Sequence, residues 1–348
     1  MTAETVRVVI VGTGGIGKCH LRQWNELPDV QVVGAFDTNT DAAQRAAKQF
    51  NVPRVYKSLD EIVALSEVDA VDVCTPNMFH KEGVLAALQA GKHCLCEKPL
   101  AVHPDDIREM IAARDKSGKI LATIQHMRFE DRTRALKRTI DAGRLGDVYY
   151  SRAWWLRRRM APNTPGFIRK EQAGYGPGMD LGVHVLDLAM HLLDHPQPHS
   201  VTGIAPCMLG RRPDVANQWG SWKPEDFQVE DFAAAFIRFK NGSALSLEVS
   251  WLLNMIEPER YSVWLHGTEG GACWPDLNIA HVQDDLLVDS RITSDLKSDG
   301  HKNEMAAFLD AIRNGGPSPV PTEQSLTVAR ILAALYESAE SGHEVLLD

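Results

Sequence analysis

The sequence predicts a chain of two domains, an α/β domain with a doubly wound parallel sheet followed by an α+β domain with a large, mostly antiparallel open sheet. Three observations carry this. A β-branched run over residues 6–11 enters the turn Gly12-Thr13-Gly14-Gly15-Ile16-Gly17, and strand and helix patterns then alternate to about residue 125. From Val148 the apolar period changes to strict alternation, with Asn241-Gly242 between two such runs as a hairpin signal. A chain of 348 residues suits two cores better than one, and the boundaries expected are 1–125 and 126–348.

The first strand and its glycines organise the rest. Gly12, Gly14 and Gly17 have the G-x-G-x-x-G spacing. The first lets the chain turn off the strand, the second lets backbone approach a pyrophosphate, and the third lets the next helix pack closely. Backbone N–H groups at the helix start, around Gly15 and Ile16, then form an anion site. A second strand over 30–36 ends at Asp37, and 37 − 17 = 20 residues is the interval expected of a ribose-binding acid. The plainer reading of Asp37 is a turn residue starting the next helix. On the functional reading Asp37 repels a 2′-phosphate, and Thr38 and Asn39 supply no arginine to offset it, so NAD is the expected cofactor.

Further elements follow in order. Helices are expected over 19–26 and 41–50, a short strand near Val55, a strand over 70–74 and a helix over 77–90 with Gly91 past its end. A strand over 93–96, a helix opened by Pro104-Asp105-Asp106 and closed by Gly118, and a strand over 120–124 complete six strands. A helix over 132–142 leads to the turn 143–146. Strand candidates then lie at 149–156, 201–208, 229–239, 243–251 and 261–266, and helices at 303–314 and 325–341. With no long linker, the two domains are expected to share an interface, the usual place for a site.

Composition narrows the function. A net charge of −9 gives no electrostatic footprint for nucleic acid or an anionic membrane. No run reaches 18 apolar residues, and residues 1–5 lack a signal peptide's features, so a cytoplasmic protein is expected. The six cysteines are scattered; Cys94 and Cys96 share a strand face, no second pair completes a zinc site, and buried thiols are expected.

Three constellations could carry chemistry. Thr75, Asn77 and His80 follow the fourth expected strand, where open α/β sheets bind ligands; Asn77 could equally be a helix N-cap, and His80 a surface residue. Glu97-Lys98-Pro99 follows the fifth strand and aims a lysine rigidly; neighbours on a strand point to opposite faces, which argues against a simple Glu97–Lys98 pair. Asp180 and His184 stand at i, i+4 after a glycine-rich turn, and Asp187 and His191 continue the ladder. A metal site on that helix is the alternative, disfavoured because no second ligand cluster appears, so no metal is expected. Finally Trp154-Trp155-Leu156-Arg157-Arg158-Arg159, with Arg169-Lys170, is either a solvated basic loop or partner for the chain's surplus carboxylates, or a substrate wall that donates hydrogen bonds to hydroxyls or a carboxylate.

Taken together, the dinucleotide turn, Glu97-Lys98-Pro99 and the Asp180/His184 pair make the chain resemble the Gfo/Idh/MocA oxidoreductase family over nearly its whole length. The resemblance implies an NAD-binding Rossmann domain over 1–125, and a substrate-binding and oligomerisation domain over 126–348 that forms a homodimer or homotetramer through its sheet. It implies oxidation of a secondary hydroxyl of a sugar or cyclitol. Lys98 matches the family's catalytic lysine, and Asp180 and His184 match its acid and histidine. Thr75, Asn77, His80 and Glu97 match positions on the cofactor side. Arg128, Trp155, Arg158 and Lys170 are the further substrate contacts it suggests, the loop from Trp155 to Lys170 resembling a substrate loop. Alternatives are a glycosidase or epimerase that holds NAD tightly and oxidises transiently, and a non-catalytic sugar or dinucleotide sensor.

Overall fold

The computed structural model describes residues 5–293 and 298–347. The chain forms two compact units, Met1–His126 with Asp299–Leu326, and Met127–Ser298 with Thr327–Asp348.

In the first unit, five strands are described: β1 (Val6–Val11), β2 (Val30–Phe36), β3 (Ala70–Val73), β4 (His93–Cys96) and β5 (Leu121–Thr123). They form a parallel sheet in the order β2-β1-β3-β4-β5. Apart from Asp72 in β3, their interiors are mostly apolar, as in a sheet covered on both faces by helices. The third of the six expected strands, near Val55, is reduced to a single parallel bridge from Val55 to Ala35. Pro53 lacks a donor there, and the chain turns at once into the helix Leu59–Val63, whose first turn Ser58 caps by accepting from Glu61 N.

The segment 299–326, expected in the second domain, belongs to the first unit. Met305, Phe308 and Leu309 of the helix Gly300–Asn314 sit in one buried cluster with Val8, Ile10, Leu21 and Trp24. The spacing i, i+3, i+4 makes that apolar face, but which sheet it covers is a long-range matter that the local pattern does not specify. Glu304, fully buried, accepts from the backbone N–H of Gln125 at 2.9 Å and completes the attachment.

The second unit contains β6 (Val148–Arg157), β7 (Pro198–Ile204), β8 (Phe232–Phe239), β9 (Ala244–Ser250), β10 (Glu259–Gly267), β11 (Gly270–Trp274), β12 (Asn278–Gln283), β13 (Leu286–Arg291) and β14 (Val345–Leu346). The described sheet runs β13-β12-β11-β10-β6-β9-β8-β7-β14, antiparallel except between β6 and β9. At the Asn241-Gly242 turn, Gly242 has φ +88° and Phe239 N donates to Ser243 O, as the hairpin signal predicts. The hairpin β12–β13 escaped the sequence reading because its turn is Asp284-Asp285, both at positive φ, where Asn-Gly is the usual signal. Alternation along β6 puts Ala153, Trp155 and Arg157 on the face covered by the helix Val183–Leu192, and Arg152 and Trp154 on the other.

Candidate active site

In the first unit the strand order reverses between β1 and β3, and the chemistry-bearing residues of this unit lie off the carboxyl ends of β1, β3 and β4. Gly12 leaves β1 at φ +97°, and a Cβ there would lie 2.5 Å from the Cys74 carbonyl oxygen. A Cβ on Gly17 would lie 2.0 Å from the Gly12 carbonyl oxygen. Both positions are therefore closed to any side chain. Around Gly14 and Gly15 the reverse holds, with nothing within 4 Å of where a Cβ would stand. The result is a rigid turn with an open rim at the start of the helix Gly15–Glu26, a cradle that fits a pyrophosphate.

Asp37 is held to that turn. Its Oδ2 accepts from Thr13 N at 2.7 Å and from the Thr13 hydroxyl at 3.0 Å, while Oδ1 accepts from Asn39 N. The cap of the next helix is Asn39, which accepts from Ala42 N, so Asp37 is not the helix-starting residue of the plainer reading. Its carboxylate is fixed at the end of β2, beside the glycine turn.

Beyond β3, Asn77 opens the short 3₁₀ turn Asn77–Phe79 and is not its N-cap, a position taken by Pro76. His80, expected as a possible surface residue, is fully buried, with Nδ1 2.7 Å from Pro99 O and Nε2 2.8 Å from Thr75 O. It ties the loop after β3 to the segment after β4. Burial depresses its pKa and outweighs the two carbonyls that favour the charged ring.

A buried polar network, missed in the sequence, underlies Lys98. His20 Nδ1 lies 2.9 Å from Asp72 Oδ2, and its Nε2 lies 2.9 Å from Glu97 Oε1. Trp24 Nε1 donates to Asp72 at 2.7 Å, and Glu97 Oε2 accepts from the backbone N–H of Lys98 at 3.0 Å. With a carboxylate on each ring nitrogen, His20 is a doubly protonated imidazolium. Burial opposes that charge, but Asp72 and Cys74 together outweigh it and hold the His20 pKa well above its ordinary value. Burial likewise opposes the charge on Glu97, and the hydrogen bond and charge of His20 prevail, holding it down to about 2. One signal was available: Asp72 is the single charged residue in an otherwise apolar strand.

In the second unit, Gly174–Gly178 is wound around a buried carboxylate. Glu230 accepts from Gly176 N at 2.8 Å, from Gly178 N at 3.2 Å and from the Tyr336 hydroxyl at 2.6 Å. A Cβ on Gly178 would stand 2.1 Å from that hydroxyl. The chain then forms a π turn, Gly178–Gly182, before the α-helix Val183–Leu192. Asp180 and His184 were expected on one α-helix; the glycines and the Glu230 clamp widen the turn under Asp180, a departure that frequently marks functional positions. Asp180 Oδ2 accepts from Trp251 Nε1 at 2.9 Å, and the buried His184 ring lies 5.9 Å from the ring of Trp155.

The basic residues of the predicted substrate loop are mostly committed to partners. Arg157 Nε donates to Glu259 Oε1 at 2.8 Å, and Trp155 Nε1 donates to the same oxygen at 2.7 Å. Arg169 pairs with Asp226, Arg158 reaches the carbonyl of Ile256, and Arg159 reaches Leu253 O and Asn254 Oδ1. Lys170 is exposed, its ammonium 5.8 Å from the Tyr175 ring. Arg128 is 5% exposed and bonds Asp187 through two nitrogens at 2.7 and 2.5 Å. Its guanidinium is thus spent on a buried ion pair, which also removes Asp187 from the ladder of ligands considered in the sequence. His191 is a partly buried histidine whose pKa burial and Arg128 push down to about 4. All six cysteines are free thiols, with Cys94 and Cys96 fully buried.

Fold and site define an oxidoreductase built on an NAD-binding Rossmann fold. Residues 6–125 match the family described as "Oxidoreductase family, NAD-binding Rossmann fold", and residues 133–273 match the "GFO/IDH/MocA C-terminal domain". The chain is 34% identical to D-glucoside 3-dehydrogenase of Escherichia coli K12, covering 100% of this chain and 99% of that one. It is 30% identical to 1,5-anhydro-D-fructose reductase of Ensifer adhaerens, covering 89% of each. Levoglucosan dehydrogenase solved with NADH and levoglucosan superposes with a TM-score of 0.85 at 25% identity, covering 99% of each chain. The chain belongs to the Gfo/Idh/MocA oxidoreductase family.

Among the described residues no helix is long and apolar enough to cross a membrane.

Proposed function

We propose that this protein oxidises a secondary hydroxyl of a neutral pyranoside, of the D-glucoside type, to the ketone. The observation that carries this reading is a carboxylate oriented by Trp251, Asp180, four residues before the buried His184, whose ring lies beside that of Trp155. Residues 12–17, Asp37, Thr75, Asn77, His80 and Lys98 are the proposed cofactor side. NAD, when bound, supplies the hydride acceptor. His184 takes the hydroxyl proton as general base, Lys98 stabilises the developing alkoxide by its charge, and Asp180 orients the hydroxyl.

The neutral substrate follows from the loop. Arg157, beside the Trp155 ring, already faces Glu259, and Arg169 faces Asp226, so these two offer donors to hydroxyls and little unbalanced charge to an acid, while Arg158 and Arg159 are turned to carbonyl oxygens. The test is NAD reduction, followed by the absorbance of reduced nicotinamide, against neutral glycosides, cyclitols, anhydrosugars and uronic acids. Neutral glycosides are expected to react fastest; preference for uronic acids would contradict the reading.

A second copy of the chain is the proposed partner, docked on the face of the large sheet that carries Arg152 and Trp154. Ile204, Phe236 and Trp264 are exposed on the large sheet by 57, 37 and 40%. Trp264 also lines a shallow depression there with Tyr150, Arg152 and His266. Light scattering is expected to give a dimer or tetramer that Trp264→Asp weakens; an unchanged mass in that variant would count against this face.

A further inference from the structure

We infer that Trp219, Arg157 and Trp155 form a stacking platform for a second, uncharged ring of the substrate, one ring beyond the sugar that reacts. The inference rests on the proposed function and extends it to a glycoside whose aglycone is itself a ring.

Trp155 and Arg157 are two apart on β6 and so share a face of the sheet, the face on which His184 lies against Trp155. The guanidinium carbon of Arg157 is 5.2 Å from the centre of the Trp155 ring and 4.8 Å from that of Trp219. The three side chains therefore form a stack that begins beside the proposed base and ends at Trp219, whose indole is 46% exposed.

The outer end of this stack is built. The backbone N–H of Gln218 donates to Arg159 O, and Asn217 exchanges two hydrogen bonds with the backbone of Ala161, accepting at 2.9 Å and donating at 3.0 Å. Trp219 is thus presented on a loop tied through Asn217 and Gln218 to the segment just past β6, and is partly exposed to solvent. The axial C–H face of a pyranose, or the face of an aryl group, suits such a surface because the ring quadrupole attracts positive C–H edges. Arg157 adds a planar cation to the stack, but its charge is balanced by Glu259 at 2.8 Å. An anionic group gains little there, whereas an uncharged ring gains contact with the indole face.

The test compares methyl glucoside, phenyl glucoside and a glucose disaccharide as probes of the NAD-loaded wild type, Trp219→Phe and Trp219→Ala. Initial rates of NAD reduction and calorimetric binding are measured for each. The wild type is expected to prefer a two-ring glycoside over methyl glucoside by about three- to tenfold in kcat/KM and in Kd. In Trp219→Ala that ratio falls toward one, and Trp219→Phe keeps part of it. A preference confined to phenyl glucoside assigns the ring to an aryl aglycone, and one confined to the disaccharide assigns it to a sugar; either supports the platform. A ratio unchanged in Trp219→Ala overturns the platform and leaves the proposed function standing. Absence of both binding and NAD reduction with all three glycosides overturns the two together.

Discussion

His20 Nε2 lies 2.9 Å from Glu97 Oε1, with the His20 side chain fully enclosed and that of Glu97 nearly so. A carboxylate also sits 2.9 Å from the other ring nitrogen, so one imidazolium holds Asp72 and Glu97 together directly beneath Lys98. Removing one partner of such a set leaves a buried charge without compensation. His20→Gln is expected to cost about 3–5 kcal/mol, read from denaturant unfolding of the first transition.

The same residue fixes a pH dependence. Because the folded pKa of His20 is raised, its contribution to stability is complete below the unfolded value of about 6.5 and is lost as pH rises through the folded value. His191 and His195 act with the opposite sign. Their pKa values, lowered to about 4 and about 3 by burial and then by Arg128, make stability fall as pH drops below about 6.5. Melting temperature is therefore expected to decline on both sides of neutrality, and His20→Gln to flatten the alkaline limb alone. An alkaline limb of unchanged slope in that variant would show that His20 is neutral in the fold.

Two glycines of one motif separate folding from binding. In Gly12→Ala the new Cβ meets backbone at 2.5 Å and the residue is forced to φ +97°, a strain of about 1–3 kcal/mol before any clash, so melting temperature and NAD affinity should both drop. In Gly14→Ala nothing lies within 4 Å, so stability should hold within about 0.5 kcal/mol while NAD affinity drops. Thermal unfolding with and without NAD reads both; equal stability losses would contradict the assignment of Gly14 to the open rim.

With Asp37 as the proposed ribose acid, its replacement should change cofactor choice. Asp37→Ser removes the charge that repels a 2′-phosphate and charge-assisted hydrogen bonds worth about 1.5–3 kcal/mol each. The ratio of kcat/KM for NAD over NADP should fall by about tenfold or more. A ratio that does not move would place the ribose elsewhere.

Glu230 holds the backbone leading to Asp180 through two N–H groups and Tyr336. Glu230→Ala is expected to lower kcat/KM for the glycoside by about tenfold to a hundredfold without changing NAD affinity, since its bonds lie wholly in the second unit. Fluorescence titration with NAD, beside steady-state kinetics, separates the two; loss of NAD binding would show general misfolding instead.

The sequence carried the elements whose signals are local. Val6–Val11, the three spaced glycines, Asp37 and the Asn241-Gly242 hairpin are legible because each is set by turn chemistry and periodicity over a few residues. What escaped depends on distant partners. The helix Gly300–Asn314 joins the first unit because Phe308 meets the core of β1, about 300 residues away in the chain. His20, Glu230 and Trp251 gain meaning only once Glu97, Gly176 and Asp180 are brought beside them. Basic residues at 157–159 and 169 read as a possible anion site until the structure supplies Glu259, Asp226 and the carbonyls that occupy them.

For His184 and Lys98, proposed to act on one hydroxyl, the decisive measurement is kcat with a neutral glucoside and saturating NAD. Expected is a loss of about 10²–10⁴-fold in His184→Ala and a comparable loss in Lys98→Met, with NAD still bound in the histidine variant. Turnover undiminished in either variant would contradict the account.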